Sequence, residues 1–188
     1  MKLLLNFFAF QFGWFATVLG AAKGMPWIGP IAVLAVVALH LSLSARPKNE
    51  LKLLLSAMLA GLVLDSLLVA SGWVAYPNGI MVEGFAPYWI ITMWALFATT
   101  LNVSMKWMRG RTALAVSMGA IGGPLSYLAG QKLGAISFID PFTAMVALAI
   151  AWGLAMPLLV FLADRFDSDS GGNLPEYVHS DWRVSNRV

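Results

Sequence analysis

The sequence predicts an all-α membrane bundle of six transmembrane helices, with both termini on the cytoplasmic side. Two features of its composition and one of its charge pattern lead there. Of 188 residues, 60% are hydrophobic, and the mean hydropathy is +0.78. Only 11% are charged, where a soluble domain carries about 25%. Of the 12 Lys and Arg residues, all but Lys23 and Lys132 fall on one side of the membrane once six apolar helices are drawn.

The first helix is expected over residues 3–22. Lys2, the apolar run, Gly20 and Ala22 imitate a secretory signal. Signal cores are about 7–15 residues long, however, and this run is longer and interrupted by Asn6, Gln11 and Gly13-Trp14, so a retained helix is expected. The second follows Pro26 and Pro30 and ends at Ser44, where Arg46-Pro47 stops it. The third covers 51–73. The fourth opens at Pro87, a first-turn position that suits proline, and ends near Trp107. The fifth covers 112–130 and is expected to be broken at Gly122-Gly123-Pro124. The sixth covers 141–162. Runs of about 17–23 residues, rising 1.5 Å each, span a hydrocarbon core of about 30 Å.

With the N-terminus inside, the inner side receives Lys2, Arg46, Lys48, Lys52, Lys106, Arg109, Arg111 and Arg165, and Arg183 and Arg187 beyond the range where the rule counts strongly. Trp27, Trp73, Tyr76, Tyr88 and Trp89 cluster at the opposite boundary, as a headgroup belt would. From Asp164 the composition turns polar, so 1–163 reads as the transmembrane domain and 164–188 as a flexible cytoplasmic tail. Partner docking through Tyr177 and Trp182 is the alternative for the tail.

Asp65 is the only charge well inside a helix. A carboxylate there costs about 2.5–3.5 kcal/mol unless it is neutral, solvated or partnered. Gly61, Asp65 and Gly72 lie within about 40° on one face, so the acid is expected to point into the bundle. On helix five, Ala115, Gly119, Gly122, Gly123, Ser126 and Gly130 fall within about 80°, a small-residue surface for close helix packing. Pro124 cannot donate to Ala120, and freed carbonyls at that depth need protein or a watery cavity. Asp65, Ser126 and Tyr127 are therefore read as a ligand pocket, against the plainer reading of a tight helix crossing. His40 and Asn102, near the inner surface, form a possible secondary polar site. Trp14, Trp94 and Trp152 read as bulky core packing, with a ring-lined cavity as the alternative.

Several motifs together resemble one family: Gly13-Trp14, Gly61-x-x-x-Asp65 with Gly72, Pro87-x-Trp89 through Trp94-x-x-Phe97-Ala98-Thr99-Thr100-Leu101, and Gly123-Pro124-Leu125-Ser126-Tyr127-x-x-Gly130. The chain is similar over about residues 6–163 to the bacterial inner-membrane family called domain of unknown function 2878. The resemblance implies a multi-pass protein of the bacterial inner membrane, and it carries over no catalytic residue.

Among functions, binding or handling of a lipid or other amphipathic molecule ranks first. A substrate-binding transporter component ranks second, with Ala9-x-x-x-Gly13 and Ala16-x-x-x-Gly20 as its approximate helix contact. A lipid-modifying enzyme using His40 or Asp65 as acid–base group ranks third, since no nucleophile signature or cofactor box accompanies them. Helix five offers a surface for a helix partner. With no Cys and two His, neither disulfide nor metal centre is expected, and no cofactor is implied. The basic residues sit at helix ends rather than on one face, so nucleic acid is not an expected partner. Oligomeric state is left open.

Overall fold

In the computed structural model, residues 2–168 can be described; of the expected tail 164–188, residues 169–188, with Tyr177, Trp182, Arg183 and Arg187, lie outside them. Six α-helices appear among the described residues: α1 Lys2–Ala22, α2 Ile28–Leu43, α3 Pro47–Ala70, α4 Tyr88–Leu101, α5 Thr112–Lys132 and α6 Pro141–Ser168. Two short strands, β1 Val74–Ala75 and β2 Ser137–Phe138, pair antiparallel with Val74 opposite Phe138. They tie the α3–α4 connection to the α5–α6 connection.

Four helices, α1, α3, α5 and α6, are long and apolar enough to cross a membrane; α2 and α4 are apolar but shorter. Outward faces carry large apolar side chains, among them Phe12, Leu34, Leu59, Ile121 and Leu154, each more than 60% exposed. A helix in water turns such residues inward, so these surfaces fit a membrane protein. α4 is the exception. None of its large apolar side chains is exposed, and it packs against α1, α2, α3 and α6. It is the central helix, and bilayer thickness does not set its length.

The helix boundaries depart from expectation in three places. α3 begins at Pro47, because the proline that stops α2 also suits the first turn of the next helix; Glu50 thereby joins α3. α4 ends at Leu101 rather than near Trp107. There Val103 N and Met105 N both donate to Thr100 O, at 3.1 and 2.9 Å, and close a tight turn. α6 runs on to Ser168 rather than ending near 162, so Asp164, Arg165 and Asp167 lie on its last turns.

The expected break in helix five is corrected. α5 is continuous through Pro124. The proline forfeits one intrahelical bond, and dense packing along α6 holds the remaining ladder together. Its C-terminus is a Schellman turn: Gly134 has φ +88°, and Ala135 N and Gly134 N donate to Gly130 O and Gln131 O at 3.0 and 2.9 Å. Gly72 is likewise a terminator rather than a packing residue. It sits at φ +72° just past α3 with open space around it.

Hydrogen bonds bring the two ends of the helical core together. Asn6 of α1 donates to Thr99 O and accepts from Ser104, at 3.0 and 2.8 Å. Arg46, before α3, meets Asp167 of α6 at 3.2 Å. The start of α1 and the end of α6 therefore share one end of the bundle, beside Lys106 and Arg109. The opposite end carries the β-pair and the 71–87 connection, pinned by Asn78 Nδ2 donating to Ala21 O at 2.9 Å and Trp89 Nε1 donating to Asn78 O at 2.9 Å.

Candidate functional site

Asp65 is wholly buried and accepts three side-chain hydrogen bonds. Tyr76 and Tyr127 hydroxyls each donate to Oδ1 at 2.7 Å, and the Trp94 indole N–H donates to Oδ2 at 2.7 Å. These donors come from α4, α5 and the connection after α3, so one carboxylate ties three elements to the third helix. The site is assembled by a close approach. A Cβ on Gly61 would lie 2.1 Å from Trp94 Cδ1, and only glycine lets the indole settle there. Trp94 in turn stacks on Trp152 of α6, with centroids 4.5 Å apart and planes at 16°.

Trp152 then meets α5. A Cβ on Gly119 would fall 2.2 Å from Trp152 O, and one on Gly123 2.2 Å from Trp152 Cγ. Ala115 is buried nearby. These three small residues make the α5–α6 crossing. The expected stripe is corrected at two positions. Gly130 faces Ile136 of the following turn, and Gly122 faces open space.

That open space is a groove of about 440 Å³ between α1 and α5. Phe10, Trp14, Phe97, Trp152, Met118 and Met156 supply apolar walls, and Gln11 and Ser126 are the uncharged polar side chains in it. A small cavity of about 40 Å³ continues inward to Trp94 and Tyr127. The back wall is thus built from the side chains that Asp65 holds. Asp65 and Tyr127 are brought together, while Ser126 lies on the groove side of Tyr127 and does not join the carboxylate.

A second cavity, of about 650 Å³, lies at the basic end between α1, α2 and α3. His40 and Asn102 meet there through Glu50. His40 Nε2 is 3.0 Å from Glu50 Oε2, and Asn102 Nδ2 donates to Glu50 Oε1 at 2.8 Å. Arg109 donates to Asn102 Oδ1 and to Asp167 Oδ2, the latter at 2.8 Å. Arg46 and Lys106 line the cavity and approach Asp167 at 3.2 and 3.7 Å. Among the described residues, no three His, Cys, Asp or Glu side chains converge on a metal-sized site.

Two central residues escaped sequence reasoning. Tyr76 was expected in an aromatic belt, as was Trp89, yet both are buried; Trp27 and Trp73 remain at the surface. Glu50 was hidden in a polar break between helices. An acid among Arg46, Lys48 and Lys52 reads as a solvated ion-pair partner, so no sequence signal pointed to its burial beside His40.

No curated protein and no solved structure matches the chain. Residues 3–158 match the model of the family described as protein of unknown function (DUF2878), and the chain belongs to that family.

Proposed function

We propose that the protein is a six-pass component of the bacterial inner membrane that binds the apolar part of an amphipathic lipid in the groove between α1 and α5. Arg46, Lys48, Lys52, Lys106, Arg109, Arg111 and Arg165 gather at the end shared by the start of α1 and the end of α6, with Lys23 and Lys132 opposite. That bias supports a cytoplasmic basic end. α2 and α4 complete the crossings; α4 is enclosed by other helices, so it is exempt from matching the bilayer.

One observation carries the binding reading. Gly122 leaves a concave, aromatic and methionine-lined groove open beside a crossing where its neighbours Gly119 and Gly123 are fully packed. A mostly apolar concavity with a few placed polar groups is the usual form of a small-molecule site. Ser126 and Gln11 are the few placed polar groups of this groove. Asp65 and Tyr127 act as positioning residues, because the carboxylate is saturated by donors of the chain and fixes the back wall.

The transporter reading gains no support from its helix contact. A Cβ on Gly13 would press on Leu96 at 2.8 Å, and one on Gly20 on Ile28 at 3.1 Å, so both small residues are already occupied within the chain. A lipid carrying a photoactivatable group in its acyl chain tests the groove. Cross-links to Trp14, Phe97, Met118 or Met156 support it. Labelling spread evenly over α3 and α6 outer faces would contradict it.

A further inference from the structure

We propose that the basic-end cavity is a second, separate site, which binds the phosphate of a membrane phospholipid. Arg46 and Lys106 hold the phosphate, and an acyl chain runs along α1 and α2. This inference stands independently of the groove, since the two cavities lie on different flanks of α1.

The first support is the charge pattern. Arg46, Lys106 and Arg109 converge on one carboxylate, that of Asp167, at 3.2, 3.7 and 2.8 Å. Asp164 reaches Arg109 at 3.5 Å, and Glu50 is committed to His40 and Asn102. Among the described residues Arg46 and Lys106 face the cavity together with Glu50 and Asp167, and Asp167 is shared among three cations. The Arg46 and Lys106 side chains are 43% and 58% exposed, so their pairs with Asp167 are solvent-screened and weak. A phosphate brings a full charge and several acceptor oxygens, and a guanidinium fork engages it in bidentate fashion. It can displace Asp167 from Arg46 and Lys106 while Asp167 stays on Arg109.

The second support is the wall. Leu3, Leu5, Leu39 and Leu43 line the same cavity and are each more than 40% exposed on the outer surface. The cavity therefore opens toward the acyl region. From Val36 to Leu43 it follows α2 for about 10 Å, room for the upper part of a chain. A soluble phosphate would have no use for these apolar side chains.

The chain has no Cys, so an environment-sensitive fluorophore on Ala45→Cys, at the rim, reports on this cavity alone. The full-length labelled protein in detergent is titrated with phosphatidylglycerol, diacylglycerol and sodium phosphate. The expected result is a saturable response to phosphatidylglycerol and none to the other two. R46Q/K106Q weakens it at least tenfold, D167N strengthens it by removing the competing carboxylate, and Gly122→Trp leaves it unchanged. A response to diacylglycerol equal to that of the phospholipid would overturn the phosphate assignment. An equal response to sodium phosphate would overturn the lipid assignment. Lys106 is the most exposed cation, so K106Q alone serves if the double variant fails to fold; an unchanged affinity in K106Q and weaker binding in D167N together refute the site.

Discussion

Gly61 and Trp94 form the closest glycine–aromatic contact in the fold: the indole lies where a Cβ of residue 61 would be, 2.1 Å from Cδ1. That contact places the indole N–H on Asp65 one turn further along α3. The ring cannot retreat, because it is held by Asp65 on one side and stacked on Trp152 on the other. Gly61→Ala is expected to cost about 2–3 kcal/mol, at the upper end of overpacking penalties. Equilibrium unfolding in mixed micelles measures it; a change under about 0.5 kcal/mol would show that the ring moves freely.

The three donors on Asp65 predict a graded series. Tyr127→Phe removes one hydrogen bond, which within membranes averages about 0.6 kcal/mol, and leaves the other two in place. Asp65→Ala strands two hydroxyls and an indole N–H, each costing about 1–3 kcal/mol. The expected order of destabilisation is Asp65→Ala above Asp65→Asn above Tyr127→Phe. Near-ultraviolet circular dichroism should also lose the signal of the stacked Trp94–Trp152 pair in both Asp65 variants, while Tyr127→Phe retains it.

Glu50 of α3 joins His40 of α2 and Asn102 at the end of α4. Glu50→Gln keeps one acceptor oxygen and is expected to be mildly destabilising. Glu50→Ala strands both partners and should lower stability by about 2 kcal/mol or more. Melting temperatures equal to that of the wild type in both variants would mean that these bonds contribute nothing to the fold.

Asp140 caps α6. Its carboxylate accepts from Thr143 Oγ1 at 2.7 Å and from Thr143 N at 3.1 Å. The Thr143 hydroxyl bond, followed by the backbone bonds, holds this carboxyl below its ordinary value. A depressed folded value means stability that is present above the unfolded pKa, about 3.9, and is lost as pH falls through the lower folded value. The melting temperature should therefore fall below about pH 4, and Asp140→Asn should remove that part of the acid loss. The carboxylate is fully exposed, so the effect is small.

These residues also mark how far the sequence could be read. Asp65 and Tyr127 were visible because a lone acid in an apolar run needs donors, and a tyrosine at matching depth supplies one. Tyr76 was invisible, since its position fits an interfacial belt equally well and only the fold of the 71–87 connection turns it inward. Glu50 was missed because Pro47 reads as a stop for one helix without revealing that it starts the next. The break expected at Pro124 failed for a related reason: local propensity speaks of one lost hydrogen bond, whereas packing of Gly119 and Gly123 on Trp152 decides whether the helix opens. Six helices were legible in hydropathy, but the lengths of α2 and α4 follow from their partners.

Native mass spectrometry of diacylglycerol bound to the wild-type chain and to Gly122→Trp tests the groove most directly, because this lipid makes no demand on the basic end. The wild type should carry one bound lipid. Gly122→Trp, whose side chain fills open space without touching the α5–α6 crossing, should fold normally and carry none. Equal occupancy in the two proteins would contradict lipid binding between α1 and α5.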